Sequence, residues 1–208
     1  MKNIKIYKAK IKGEKAFYLA IHKAMETSDH IDALKQIVVE FEEYKKFMNE
    51  NIISVELPQD KIYMFKFTYQ LKKKVWREFE IRGDQTLEEL ATAVIDSMDW
   101  GNDHLHAFWF PEVRGKAVFS HWYTPYAIGS EGYENDQFPD LCDKEVLIGS
   151  IDYSKHPKLG FAFDFGDDHR FLLEYKAIRP ADKKESRDYF PRLIDQRGVG
   201  PEQYPEFE

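Results

Sequence analysis

Lys61-Ile62-Tyr63-Met64-Phe65-Lys66-Phe67-Thr68-Tyr69-Gln70-Leu71 is the stretch that decides the fold class. Tyr63, Phe65, Phe67, Tyr69 and Leu71 alternate with Met64, Lys66, Thr68 and Gln70. Alternation with period two over this length marks a strand with one buried face. Lys72-Lys73-Lys74 follow, and then Val75, Arg77, Phe79 and Ile81 alternate with Trp76, Glu78, Glu80 and Arg82. The spacing predicts a second strand and a hairpin with a basic tip. Gly83-Asp84 breaks it. Thr86-Leu87-Glu88-Glu89 is a capping box, in which the Thr hydroxyl and the Glu carboxylate satisfy free N–H groups at a helix start. Leu87, Leu90, Ala91, Val94, Ile95 and Met98 form the buried stripe of that helix, which is expected to end near Trp100-Gly101 with Gly101 as a left-handed cap.

Upstream, the pattern is helical. Phe17, Ala20, Ile21 and Ala24 share one face of a short helix. Ile31, Leu34, Val38, Phe41, Tyr44 and Met48 share one face of a longer helix, capped by Ser28 or Asp29. The pattern changes at Ile52, where Ile53, Val55 and Leu57 alternate until Pro58. Residues 1–51 therefore read as a helical extension packed on a main domain of residues 52–208. Downstream, 105–110 reads as a strand, Arg114-Gly115 as a turn and 116–122 as a return strand. Residues 123–145 read as a long loop. Residues 160–166 and 169–178 read as a hairpin around Asp167-Asp168, and the segment after Pro180 as a charged, loop-like tail. This order predicts an α+β fold with a mixed or mostly antiparallel sheet. The hairpin–helix–strand run over 61–110 suggests a β-grasp-like core preceded by the helical extension.

Composition narrows the function classes. The chain has 208 residues, 43% of them hydrophobic and 15% aromatic, which is ample apolar area for a core. Its 30 Lys and Arg against 37 Asp and Glu leave a net charge of −7, which argues against non-specific nucleic-acid binding through phosphates. Cys142 is the single cysteine. No intrachain disulfide can form, and neighbouring carboxylates disfavour a reactive thiolate. No apolar run approaches the ~18 residues that span a bilayer. A cytoplasmic chain without a membrane partner is expected.

His104-x-His106 is the sharpest chemical pattern, because on a strand both imidazoles project from one face. With Asp103 beside them, Asp164, Asp167, Asp168 and His169 of the second hairpin could complete a nitrogen–oxygen site for a divalent metal. The structural alternative is that the histidines bond a turn that the aspartates shape. Phe161, Phe163 and Phe165 are expected on the core side. Gly166-Asp167-Asp168 has turn chemistry, and Asp164 would need a partner such as Arg77 or Arg170. Lys72, Lys73, Lys74 and Arg77, with Trp76 among them, form a candidate nucleic-acid patch or simply a solvated hairpin tip. Trp109, Trp122, Tyr123 and Tyr126 could line a groove or fill a core. Nucleophile elbow, phosphate-loop and dinucleotide patterns are absent from the sequence.

Val75-Trp76-Arg77-Glu78, Thr86-Leu87, Leu90, Asp99-Trp100 and His104-Leu105-His106-Ala107-Phe108 precede Phe163-Asp164-Phe165-Gly166-Asp167-Asp168. In that order these motifs resemble a family first named for the third open reading frame of a root-inducing plasmid. Its members are also known as passenger proteins of an insertion sequence. The resemblance spans about residues 60–205, and Pro191-Arg192-Leu193 and Gly200-Pro201-Glu202-Gln203-Tyr204 are consistent with it. The family often carries Trp two residues after the Gly-Asp pair and His two residues later, where this chain has His169 and Phe171. The resemblance implies a domain and a fold of unknown function. The expected function is a non-enzymatic binding or interaction module for a protein or small ligand. One alternative is a metal-dependent hydrolase or nuclease using the His and Asp motifs. A second is a nucleic-acid-binding accessory of a mobile element using the lysine-rich hairpin.

Overall fold

A computed structural model describes residues 11–53, 60–110, 126–132 and 140–204. Helices α1 (Glu14–Met25) and α2 (Ile31–Phe47) come first, and α2 runs into a wider π-type turn at Met48–Ile52. The hairpin of β1 (Lys61–Tyr69) and β2 (Trp76–Arg82) leads to α3 (Leu87–Asp96) and β3 (His106–Trp109). Short strands β4 (Ala127–Gly129) and β5 (Leu141–Cys142) follow. Then come β6 (Lys158–Phe163), β7 (His169–Pro180) and β8 (Arg192–Arg197). The eight strands of the described residues share one sheet in the order β5-β4-β3-β6-β7-β1-β2-β8. Among the described residues only the β4–β5 pair is parallel, so the sheet is mixed and the class is α+β. The hairpin–helix–strand succession is present, with β6 and β7 lying between β3 and β1.

The alternation in β1 and β2 does what its period demands. Tyr63, Phe65, Phe67 and Tyr69 are buried with Phe79 and Ile81, and they join the α3 stripe in one core. Phe67 meets Phe79 and Phe161 edge-on at centroid distances of 6.0 and 5.9 Å. Thr86 and Glu89 form the capping box reciprocally, at 3.2 Å and 2.7 Å. The α2 stripe docks within the chain: Phe41, Tyr44 and Met48 are fully buried in the same core. The Tyr44 hydroxyl also accepts the Leu141 amide at 3.0 Å.

Several local expectations change. The left-handed residue after α3 is Asp99 (φ 65°), not Gly101, because the helix has already ended at Ser97. His30 takes the N-cap position of α2, and Ser28 instead accepts the His30 amide. The loop expected at 123–145 contains β4 and β5, although 123–125 and 133–139 lie outside the described residues. The expected strand residues Val55 and Leu57, the turn at Arg114-Gly115 and the return strand at 116–122 also lie outside them. The tail after Pro180 is not merely a loop. Its residues 192–197 form edge strand β8 on β2, with a bulge at Ile194.

A carboxylate knot fastens β8. Glu80 of β2 is 5% exposed and accepts from Arg179 Nε and Nη2 at 2.7 and 2.8 Å and from Arg192 Nε and Nη2 at 2.9 and 2.5 Å. Arg179 reaches on to Glu185 with two bonds of 2.8 Å. The Arg179 hydrogen bonds, reinforced by Arg192 and opposed by burial, hold Glu80 below the usual carboxylate range. Arg179 also draws Glu185 down to about 2. Carboxylates depressed in the folded state stabilise it above their unfolded pKa of about 4.3, and that contribution is lost as pH falls through the folded values. Thermal melts should therefore be flat from neutral pH to about 5 and fall steeply below about 4. Glu80→Gln should flatten that acid limb while lowering the melting temperature at pH 7. An unchanged acid limb would remove the knot as its cause.

Candidate functional site

The two motifs singled out in the sequence meet at one end of the sheet. His106 opens β3 opposite Phe163, the last residue of β6. One step further, the Asp164 amide donates to the Leu105 carbonyl at 3.0 Å. Asp164 then turns the chain with φ 53°, and Asp168 closes the turn with φ 56°. Gly166 is not the left-handed residue there. Asp164 is buried, and its Oδ1 accepts the Gly166 and Asp167 amides at 3.0 and 3.2 Å, the self-bonding of an Asx turn. Its Oδ2 lies 3.4 Å from His104 Nε2. The turn and His104 are thus its partners, where the sequence pointed to Arg77 or Arg170. Because β6 ends at Phe163, the alternation stops and Phe165 is 42% exposed, in contrast to the buried Phe161 and Phe163.

The histidines part company. His104 stays near the surface, 3.9 Å from Asp103 Oδ1 as well as close to Asp164. His106 is buried, and its Nε2 bonds Asp143 Oδ2 at 2.6 Å inside the fold. His169 is buried too and stacks on Trp100 with centroids 4.2 Å apart. The Gln203 carbonyl accepts from His169 Nε2 at 2.8 Å, which places the ring proton there and lets Nδ1 take the Tyr69 hydroxyl at 3.1 Å. Asp168 is paired with Arg170 at 2.6 and 2.5 Å. Among the described residues no three His, Cys, Asp or Glu side chains gather as a metal ion would require.

What does gather around His104 is negative charge. The Tyr204 hydroxyl donates to Asp103 Oδ2 at 2.7 Å. That bond comes first, then burial and the charges of Asp103, Asp164 and Asp167, in pushing the phenol up to about 12. The Tyr204 bond likewise lowers Asp103 from its usual value. His104 and Tyr204 meet edge-on at 5.9 Å. The junction thus presents Asp103, His104, Asp167, Tyr204 and Phe165 at the surface, with Asp164 beneath.

The lysine-rich patch is smaller than its sequence suggests. Lys72, Lys73 and Lys74 are exposed at the hairpin tip, but Arg77 is buried and donates to four backbone carbonyls. Trp76 is covered by Lys66, whose ammonium sits 3.7 Å from the ring centroid. Of the aromatic group, Trp109 is buried with Ala107, Ala127 and Ala162, and Tyr126 stacks on Phe47 at 3.7 Å. Trp122 and Tyr123 lie outside the described residues. Asp143, which sequence reasoning did not single out, and Gln203, quoted there only within the Gly200-Pro201-Glu202-Gln203-Tyr204 ending, are both central.

Comparison with known proteins agrees with this architecture. A family model described as plasmid pRiA4b ORF-3-like protein matches residues 61–204. None of the curated proteins compared matches the chain. A crystal structure of a protein of unknown function from Methanosarcina mazei Go1 is similar at 19% identity and a TM-score of 0.54, covering 69% of this chain and 73% of that one. At that identity the likeness speaks for the fold alone. The matched span runs from the first residue of β1 through the Tyr204 contact, taking in both motifs, and the chain belongs to the plasmid pRiA4b ORF-3-like family.

Proposed function

We propose that the chain is a non-enzymatic interaction module that offers the junction of its two motifs to a cationic partner, such as a Lys- or Arg-rich peptide segment. One observation carries this reading: carboxylate oxygens of Asp164 and Asp103 lie 3.4 and 3.9 Å from the partly exposed His104, and the exposed Tyr204 is bonded to Asp103 in the same cluster. Carboxylates flanked by exposed rings suit a guanidinium or ammonium, through charge-assisted bonds and cation–π contact. The remaining motif groups, Asp168 and Arg77, are tied into internal bonds and serve the fold. We further take α1 and α2 as an extension of the same folded unit, supported by Phe41, Tyr44 and Met48 in the common core. The lone Cys142 is in keeping with a reducing, cytoplasmic setting. Among the described residues no helix is long and apolar enough to cross a membrane.

The second reading is a divalent-cation site of a metal-dependent hydrolase. Its one support is His104, with one carboxylate oxygen at 3.4 Å and another at 3.9 Å, although these side chains do not gather as a metal ion requires. One experiment separates the two. An arginine-rich decapeptide is titrated into the protein at two salt concentrations, and bound metal is measured after incubation with zinc or manganese. Salt-sensitive peptide binding that drops at least tenfold in Asp167→Lys supports the interaction module. Stoichiometric metal that raises the melting temperature, without peptide binding, transfers the site to the metal reading. Neither result would sink both.

A further inference from the structure

We infer that the cleft between the loop after α3 and the β6–β7 turn is a recognition site for a Gly-Pro-x-Gln-Tyr peptide. Here it is filled in cis by residues 200–204. Gly200, Gln203 and Tyr204 are read by contacts that depend on their side chains or the lack of one, and Pro201 is held through its backbone carbonyl. At Gly200 a side chain is excluded, because an added Cβ would lie 2.5 Å from the Met98 carbonyl oxygen. The Pro201 carbonyl accepts the Trp100 indole N–H at 2.8 Å. Glu202 is exposed and unread. Gln203 is read three ways. Its Oε1 accepts the Gly101 amide at 2.7 Å, and its Nε2 donates to the Gly101 carbonyl at 3.0 Å and to Asp103 Oδ1 at 2.9 Å. Its own carbonyl accepts the hydrogen bond of His169 Nε2–H at 2.8 Å. Tyr204 closes the set through its hydroxyl on Asp103 Oδ2.

The side-chain amide of Gln203 therefore pairs with Gly101 as a strand backbone would, with acceptor and donor both matched. A Glu in its place would lose the donors and set its carboxylate against Asp103. Readout by paired donors and acceptors discriminates, because a Glu ligand mismatches the Gly101 carbonyl and meets the like charge of Asp103. Two features make the occupant separable from the fold. Residues 200–204 join no strand; the Gln203 and Tyr204 side-chain bonds lie at the surface, and only the Pro201 and Gln203 carbonyls reach the buried Trp100 and His169. They also follow a natural pivot: Gly198 has φ 76°, and Val199 after it is 89% exposed. Segments held this way open locally without global unfolding.

The test uses the full chain with its own anchors removed, Gln203→Ala with Tyr204→Ala, and a fluorescent peptide copying residues 198–204. Anisotropy should show the peptide binding the double variant at least tenfold more tightly than the unaltered chain, whose cleft is filled. Replacing Gln by Glu in the peptide should weaken binding at least tenfold. Equal, negligible binding of both peptides to a double variant that still melts cooperatively would overturn the proposal. A second measurement guards against loss of folding: hydrogen exchange in the unaltered chain. The Trp100 indole and the Gly101 amide should exchange at least tenfold faster than amides of β1. If they exchange only at the rate of the slowest core amides, the segment is an inseparable part of the fold and the proposal fails.

Discussion

Replacing Arg77 with Ala should destabilise the protein by about 4 kcal/mol, as expected when a buried charge and its hydrogen bonds are removed together. Arg77 Nε donates to Ser97 O at 3.0 Å, and Nη1 to Trp76 O, Arg197 O and Gly198 O at 2.9, 3.1 and 3.1 Å. One guanidinium thereby joins the end of α3, its own strand β2 and the end of β8. Burial lowers its pKa, the direction expected when no carboxylate compensates for desolvation. Truncation leaves four carbonyls short of a donor. Lys cannot present the same planar fork, so Arg77→Lys should recover only about half of the loss. For a chain of this size about 4 kcal/mol corresponds to a drop of roughly 10 °C in melting temperature. Urea unfolding of the Ala and Lys variants checks it. A loss below about 1 kcal/mol, with exchange of the β8 amides unchanged, would mean that Arg77 does not hold this corner, since surface substitutions cluster there. The same burial removes Arg77 from any nucleic-acid surface, which then rests on Lys72–Lys74 alone.

Legibility in the sequence follows burial. The β1–β2 hairpin and α3 can be read because one face of each is buried, so that alternation and helical spacing survive in the order of residues. The six residues of β8 are all exposed, and the bulge at Ile194 sets Leu193 and Ile194 side by side, so no period marks the strand. The turn at Asp164 misleads in the opposite direction. Phe161, Phe163 and Phe165 keep perfect spacing, but the positive φ of Asp164 ends the strand and turns Phe165 outward. Both motifs are visible as patterns, whereas their meeting is not. The pairing of Leu105 with Asp164 and of Gly101 with Gln203 joins residues far apart in the chain, and a single sequence carries no register for such contacts. Read in three dimensions, the His-x-His pattern divides into an exposed member at the junction and a buried member serving the core.

That buried member leads to the second large effect. Asp143 is fully buried and is the hydrogen-bond partner of His106, whose other ring nitrogen, Nδ1, has none among the described residues. Asp143→Ala would therefore leave an imidazole inside the protein with both nitrogens unpaired, and should destabilise by about 3 kcal/mol. Asp143→Asn keeps an oxygen that can accept the Nε2 proton and should lose distinctly less, about 1–2 kcal/mol. The change has a second, local readout. Burial first, and then the adjacent Asp143 charge and hydrogen bond, push the Cys142 thiol above its ordinary value. A raised thiol pKa leaves little thiolate at pH 8, so Cys142 should react slowly with a disulfide reagent such as DTNB. The charge is gone in both variants, whereas only in Asp143→Ala is the segment carrying β5 also loosened, so there both causes weaken and the reaction should accelerate at least tenfold. A purely global destabilisation would speed modification only in proportion to unfolding, and far less in Asp143→Asn. If Ala and Asn variants match each other in stability and in thiol reactivity, the hydrogen bond to His106 is not what holds this segment. If the Ala variant is distinctly the weaker and the more reactive of the two, the buried pair closes the sheet's β5 edge and keeps the lone thiol inert.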